Sequence, residues 1–149
     1  MSTWIRQETR ISLYIRDSWR CIYCQDSALE GAILTLDHLQ PRVLGGTHEP
    51  RNLVTACMSC NSLRRSLPVW QFVASFDDVD GLRERIQASQ KAWRSRRREL
   101  ASRAEARAVA GSAWWAQYKE KTDTRGHHDR APEAALLTLP AELAPTWDP

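Results

Sequence analysis

Long apolar runs are missing from this chain of 149 residues. No stretch approaches the ~20 apolar residues that a membrane-spanning helix needs. The N-terminal residues, from Met1 to Arg6, show no basic region followed by an apolar run, which is the pattern of an export signal. We therefore expect a cytoplasmic protein with no membrane partner. A large charge excess is missing too, because Lys and Arg outnumber Asp and Glu by only 21 to 18, so the chain is mildly rather than strongly basic.

The composition is otherwise that of an ordinary globular protein, with 42% hydrophobic and 26% charged residues. The length suits one domain, or a small domain with appendages. Such a small domain buries a modest fraction of its surface. A metal that joined distant parts of the chain would therefore contribute much of its stability.

Cysteine is scarce, yet all four cysteines fall into two Cys-x-x-Cys pairs, Cys21 with Cys24 and Cys57 with Cys60. Four thiolates at this spacing are the ligand set of a closed tetrahedral zinc site. Two disulfides are the alternative, but a reducing cytosol favours thiolates on a metal. The pattern predicts a structural Zn²⁺.

The segment between the cysteine pairs predicts a strand, a loop, a second strand and a helix. Residues 32–37 are rich in aliphatic and β-branched side chains, and residues 41–50 contain two glycines and two prolines, which indicate a loop. A return strand over residues 52–56 and a helix from Cys60 would follow. This order brings Asp37, at the end of the first strand, opposite Asn61, on the first turn of the helix, so that both can approach one cation.

Helices are predicted on both sides of this unit. The apolar spacing of residues 5–19 is compatible with an amphipathic helix that ends before Cys21. After the unit we expect a short helix over residues 69–73, a long one from about residue 81 to 110, and a last helical turn or two over residues 113–118. Residues from about 122 onward contain four prolines and are expected to be weakly structured. The predicted fold class is α+β.

Several motifs occur in the order and at the spacing of a known family. They are LDHLQPR from Leu36, the pair Gly45-Gly46, NLV from Asn52 and ACMSCN from Ala56. Over roughly residues 13–68 the chain resembles the HNH endonuclease family, and the preceding segment RDSWRCIYC from Arg16 resembles the lead-in of its zinc-containing phage and bacterial members. The resemblance implies a ββα-metal core, also called a His-Me finger, with a zinc site made by the four cysteines. The predicted helices would then be an N-terminal helix and a long C-terminal helical extension flanking that core.

The resemblance also implies roles for four residues. His38 would be the general base, Asp37 and Asn61 would hold a catalytic Mg²⁺ or Mn²⁺, and Asn52 would steady the loop and the orientation of His38. The chemistry is suited to phosphodiester hydrolysis, because a neutral imidazole can activate water near pH 7 and a cation with few protein ligands keeps open positions. We expect products with 5′-phosphate and 3′-hydroxyl ends.

Basic residues in two places are candidates for contact with the DNA backbone. Arg42, Arg64 and Arg65 flank the predicted site, and Arg94, Arg97 and Arg98 belong to a basic stripe between residues 91 and 107. The alternative is that these side chains are simply solvated. Many relatives have Lys then Gly where this chain has Arg64 then Arg65, so the end of that helix is expected to differ. His48, in the loop, could contact phosphate or metal, but it is interpreted as a solvated loop histidine.

The leading hypothesis is a metal-dependent DNA endonuclease. The alternative is a non-catalytic, zinc-stabilised module that binds DNA or a protein through the Arg-rich helix. The predicted organisation is a nuclease core over residues 1–68, an Arg-rich helical extension over 69–121 and a weakly structured tail over 122–149. A homodimer, or a phage or bacterial protein partner, is an open question at this point.

Overall fold

A computed structural model describes residues 5–122 of the chain. A two-stranded antiparallel sheet is surrounded by helices. The strands are β1 (Leu34–His38) and β2 (Leu53–Cys57). The helices are α1 (Gln7–Arg16), α2 (Met58–Arg64), α3 (Val69–Val73), α4 (Val79–Arg94), α5 (Arg96–Ala110) and α6 (Ala113–Lys121). The predicted α+β class is confirmed. No helix in this described part of the chain is both long and apolar enough to cross a membrane.

The strands pair so that Asp37 lies opposite Val54 and His38 opposite Leu53. Asp37 and His38 therefore stand at the end of β1, as predicted, and the connection that follows is held by two single 3-10 turns, Arg42–Leu44 and Pro50–Asn52. Helix α2 starts directly after β2. The strand, strand and helix order predicted from the sequence is confirmed.

The hairpin separates two apolar clusters. Because neighbouring side chains of a strand point to opposite faces, Leu53 packs with α1, α5 and α6, while Val54 packs with the Cys21–Cys24 segment, α3 and α4. The C-terminal helices thus share both cores with the hairpin. The proposed division of the chain at residue 68 stays a prediction.

The single helix predicted from about residue 81 to 110 is wrong, because the chain breaks at Ser95. Ser95 has an extended backbone, with φ −81° and ψ 108°, and its hydroxyl accepts a hydrogen bond from the Arg98 amide as the N-cap of α5. Leu100, which follows the break, is 51% exposed. The break turns α5 back against α1, where Arg107 pairs with Glu8 at 3.3 Å.

Helix α1 is shorter than predicted and ends at Arg16. Ser18 and Trp19 follow with φ of 58° and 57°, a left-handed conformation that stops a helix. The Trp19 ring then packs edge-on against Trp114, with 5.1 Å between ring centroids. Helices α3 and α6 occupy the predicted segments. Nearly all of the predicted tail, from residue 123 onward, lies outside the described residues.

Candidate functional site

The four cysteines converge at one end of the hairpin. Their sulfur atoms all lie within 4.8 Å of one another, and all four are free thiols. Cys21 and Cys24 come from the connection between α1 and β1, Cys57 ends β2 and Cys60 lies in the first turn of α2. Sulfur ligands at this separation fit a tetrahedral zinc ion. Hydrogen bonds from Cys21 and Cys60 lower the pKa of the Cys57 thiol, and the same contacts raise the pKa of the Cys60 thiol.

The segment from Cys21 to Cys24, named the knuckle here, is bound from two sides. The Ile22 amide donates to the Thr55 carbonyl of β2 at 2.8 Å. The guanidinium of Arg85 in α4 donates to the Ile22 and Tyr23 carbonyls at 3.2 and 3.3 Å. The knuckle is therefore attached to both the hairpin and a C-terminal helix.

Asp37 lies at the other end of β1 and is buried, with 6% of its surface exposed. Its Oδ2 atom accepts a hydrogen bond from the Tyr23 hydroxyl at 2.6 Å and pairs with Arg64 at 2.5 Å. Burial raises the pKa of Asp37, while Arg64 and Tyr23 oppose that rise. Tyr23 and Arg64 thus bind the same carboxylate oxygen, Oδ2.

Arg64 is completely buried, which corrects the expectation that it contacts DNA. Besides Asp37, its guanidinium donates to the backbone carbonyls of His38, Leu39 and Leu67. A buried guanidinium requires such partners because an unpaired charge in the interior is very costly. Arg64 is thus an internal cation beside Asp37. Tyr23 and Arg64 are the neighbours of Asp37 that sequence reasoning did not find.

Asn61 faces the same side of the hairpin as Asp37. Its Nδ2 atom donates to the Thr35 hydroxyl at 2.6 Å, and Thr35 and Asp37 are two residues apart on β1, so their side chains share a face. The side-chain nitrogen is engaged here, which turns the amide oxygen away from Thr35. One amide oxygen and one carboxylate oxygen are hard donors that suit Mg²⁺ or Mn²⁺, and such an ion commonly keeps several waters. The donor set fits the expected cation.

His38 is half-buried and faces a second histidine. Its Nε2 atom lies 3.0 Å from Nδ1 of His48, so one ring donates and the other accepts. Burial, followed by the neighbouring His48, Arg42 and Arg64, lowers the pKa of His38 to about 4. His38 is therefore neutral at pH 7. His48, interpreted from the sequence as a solvated loop residue, contacts the candidate base, and only its position in the family-like Gly45-Gly46 loop hinted at this.

Asn52 binds both sides of the loop that carries His48. Its Nδ2 atom donates to the Thr47 carbonyl at 2.9 Å and the Gln40 carbonyl at 3.2 Å, and its Oδ1 atom accepts from the Gln40 amide at 2.9 Å. Gly46 is needed in this loop, because a Cβ atom there would lie 1.8 Å from the Gln40 carbonyl oxygen. These contacts hold the chain on either side of His48.

The other predicted DNA contacts are exposed. Arg42 lies in the loop and donates to the Gly46 carbonyl at 2.9 Å, and Arg65 follows α2 with φ of 53°. The remaining three are at the junction of α4 and α5: Arg94, Arg97 and Arg98. Their DNA contacts stay predictions.

Residues 21–66 match the family described as HNH endonuclease. The match contains both cysteine pairs, the hairpin and α2, so the resemblance drawn from the sequence motifs is confirmed for this segment. It ends before α3 and does not include the C-terminal helices. Comparison of the chain with curated proteins and with solved structures found no significant match. An HNH domain indicates a nuclease activity in general.

Proposed function

We propose that this chain, which carries an HNH domain over residues 21–66, is a metal-dependent DNA endonuclease. The observation that carries the proposal is the placement of three side chains on the hairpin and α2. Asp37 and His38 end β1, and Asn61, in α2, donates to the Thr35 hydroxyl on the face of β1 that also carries Asp37. Together they offer a neutral base and two hard oxygen donors.

His38 is the proposed general base. The depressed pKa keeps the imidazole neutral at pH 7, which is the protonation state that a general base needs, although it also makes the ring a weaker proton acceptor. Asn52 supports His38 indirectly, because it holds the loop that places His48 against the His38 ring. The imidazole is thereby oriented before substrate arrives, which is the condition for efficient proton transfer.

Asp37 and Asn61 are the proposed ligands of a Mg²⁺ or Mn²⁺ ion. When bound, such an ion supplies positive charge that stabilises the transition state and the departing 3′ oxygen. The protein's own part is to keep the Asp37 carboxylate and the Asn61 amide oxygen on one face of the hairpin. Two protein ligands leave positions for substrate and water.

The proposed reaction is hydrolysis of one phosphodiester bond. A water oxygen forms a bond to phosphorus while the bond from phosphorus to the 3′ oxygen breaks, and the water proton passes to His38. The products are a 5′-phosphate and, after the leaving oxygen is protonated, a 3′-hydroxyl. The four-cysteine site takes no part in these steps, and its zinc is structural.

DNA binding is assigned to the exposed arginines. Arg42 and Arg65 adjoin the site, and the arginines at the junction of α4 and α5 offer a second basic surface. One site of this kind cuts one strand, so a double-strand break requires a homodimer, two successive nicks or a protein partner. The phage or bacterial setting and the cytoplasmic location stay predictions.

One observation favours the alternative of a binding module without catalysis. Arg64 already neutralises Asp37, and a guanidinium repels a divalent cation nearby. Filter binding and cleavage of supercoiled plasmid distinguish the two functions when each is measured with Mg²⁺, Mn²⁺ or EDTA. The endonuclease predicts nicks with 5′-phosphate ends that require the metal. The module predicts retention of DNA on the filter and no nicking by zinc-loaded protein.

A further inference from the structure

Tyr23 joins the zinc knuckle to the candidate catalytic centre. It stands between Cys21 and Cys24 and is 2% exposed. Its ring packs edge-on against Phe72 of α3, with 4.9 Å between ring centroids, and stacks with Phe76 at 6.1 Å. The ring position is therefore set by the packing of the knuckle against α3.

The hydroxyl of Tyr23 points to the other end of the hairpin. It donates to Oδ2 of Asp37 at 2.6 Å and accepts a hydrogen bond from Arg64 at 3.3 Å. Burial, with the neighbouring Asp37 charge, raises the pKa of Tyr23 well above its ordinary value of 10, so the phenol keeps its proton and stays a donor. A neutral donor on a buried carboxylate makes a short, strong hydrogen bond.

Arg64 completes the arrangement from α2. Its contacts with the His38 and Leu39 carbonyls hold the backbone that follows Asp37. Tyr23 and Arg64 both bind Oδ2 of Asp37, so together they fix the orientation of the carboxylate. Second partners of this kind orient metal ligands, and their loss typically costs 10- to 100-fold in metal affinity or activity.

We propose that Tyr23 is a positioning residue for the cation site, which with Arg64 fixes the Asp37 carboxylate and so makes the order of the zinc knuckle a condition for cation binding. This inference rests on the proposed function, because it takes Asp37 as a cation ligand. The knuckle would then have a second role besides stabilising the fold, which is to orient a cation ligand.

Tyr14 provides a matched control. It is a second buried tyrosine, 1% exposed, and its hydroxyl donates to the Leu34 carbonyl at 3.1 Å in the cluster on the opposite side of the hairpin. Tyr23→Phe and Tyr14→Phe each remove one oxygen atom and the two hydrogen bonds that it makes, since the Tyr14 hydroxyl also accepts from Arg10 at 3.5 Å. A purely structural role for the Tyr23 hydroxyl predicts similar consequences for both variants.

The experiment titrates zinc-loaded full-length protein with Mn²⁺ and follows free Mn²⁺ by electron paramagnetic resonance, without DNA. Thiolate sites prefer Zn²⁺ to Mn²⁺, so the four-cysteine site stays out of the titration. We expect Tyr23→Phe to retain its zinc and to bind Mn²⁺ about tenfold more weakly than wild type, with Tyr14→Phe unchanged. Plasmid nicking by Tyr23→Phe should recover as Mn²⁺ is raised to saturation.

Equal Mn²⁺ affinity in the two variants would overturn the inference. A tenfold difference in affinity in a protein that nicks no DNA would support the positioning role and reject the proposed function. A wild type that binds no Mn²⁺ would overturn both the cation ligands and the role of Tyr23.

Discussion

The two ends of one short hairpin carry different ligand atoms, soft sulfur at one end and harder oxygen and nitrogen at the other. At the end where Leu34 pairs with Cys57, four sulfur atoms form a soft ligand cluster. At the end where His38 pairs with Leu53, oxygen and nitrogen atoms surround a half-buried imidazole. The strands have only five residues each, so the two ends are about 13 Å apart along the strand. The first end suits a permanent metal that stabilises the fold, and the second suits an exchangeable cation and a reaction.

The two ends are supported by the same parts of the chain. The cysteine end draws its ligands from the knuckle and from the junction of β2 with α2. The histidine end adds Tyr23 of the knuckle and Arg64 of α2, which meet Asp37 there. Loss of a zinc ligand should therefore affect folding first, and loss of His38 should affect chemistry while the fold is retained.

The largest expected effect is loss of the zinc ligand set. Cys24 lies on the solvent side of the cluster, so Cys24→Ser removes little packing. If the thiols hold zinc, the variant should lose the metal and several kcal/mol of stability, because binding of a structural zinc contributes directly to folding. Urea unfolding and zinc content provide the measurement. If Cys24→Ser has the urea midpoint of wild type and neither protein binds zinc, the thiols are packing groups and not metal ligands.

Arg64→Met tests whether the second end also contributes to folding. It leaves the buried Asp37 charge without its ion-pair partner, and breaking such a pair costs about 3–5 kcal/mol. Arg65→Gly is the control, since it removes the same charge from an exposed neighbour with φ of 53° and should raise stability by about 1 kcal/mol by relieving backbone strain. Equal unfolding midpoints for the two variants would contradict the burial of Arg64.

Thr35→Val sharpens the distinction between folding and chemistry. Valine keeps the shape of threonine but cannot accept the hydrogen bond from Asn61, so the amide keeps only its longer contact with the Leu36 carbonyl, at 3.5 Å, and is less firmly oriented. We expect the Mg²⁺ concentration for half-maximal nicking to rise about tenfold, with zinc content unchanged. Thr35→Ser keeps the hydroxyl and should behave as wild type. The same Mg²⁺ dependence in the valine and serine variants would contradict the role given to the Thr35 hydroxyl.

Much of the cysteine end could be predicted from the sequence, because two Cys-x-x-Cys pairs have few other interpretations. The positions of Asp37, His38 and Asn61 followed from the order of strand, strand and helix. The burial of Arg64 could not be predicted, since an arginine on a short polar helix is ordinarily solvated. The approach of His48 depends on the path of a long loop. The break at Ser95 was missed because amphipathic spacing continues across it and the serine cap is a weak local signal.

The lowered pKa of His38 predicts a smaller effect, on how stability and nicking depend on pH. The pKa of His38 is about 4 in the folded chain and about 6.5 when unfolded. Between these values the unfolded chain binds a proton that the folded chain does not, so stability falls as pH falls through this window. The base stays neutral over the same range, so nicking should decline only well below pH 6.5. His48→Gln removes one cause of the shift and should move the acid limb of the rate profile upward. An acid limb at pH 6.5 in wild type would contradict the environment described for His38.

The most direct test of the division between the two ends is plasmid nicking by His38→Ala in Mg²⁺, with zinc content and urea midpoint measured on the same sample. Loss of a general base typically costs 10²- to 10⁴-fold in rate. We predict a loss of that size with zinc and stability retained. Nicking at the wild-type rate would show that His38 is not the base, and no nicking by either protein, both zinc-loaded, would contradict the assignment of catalysis to this end of the hairpin.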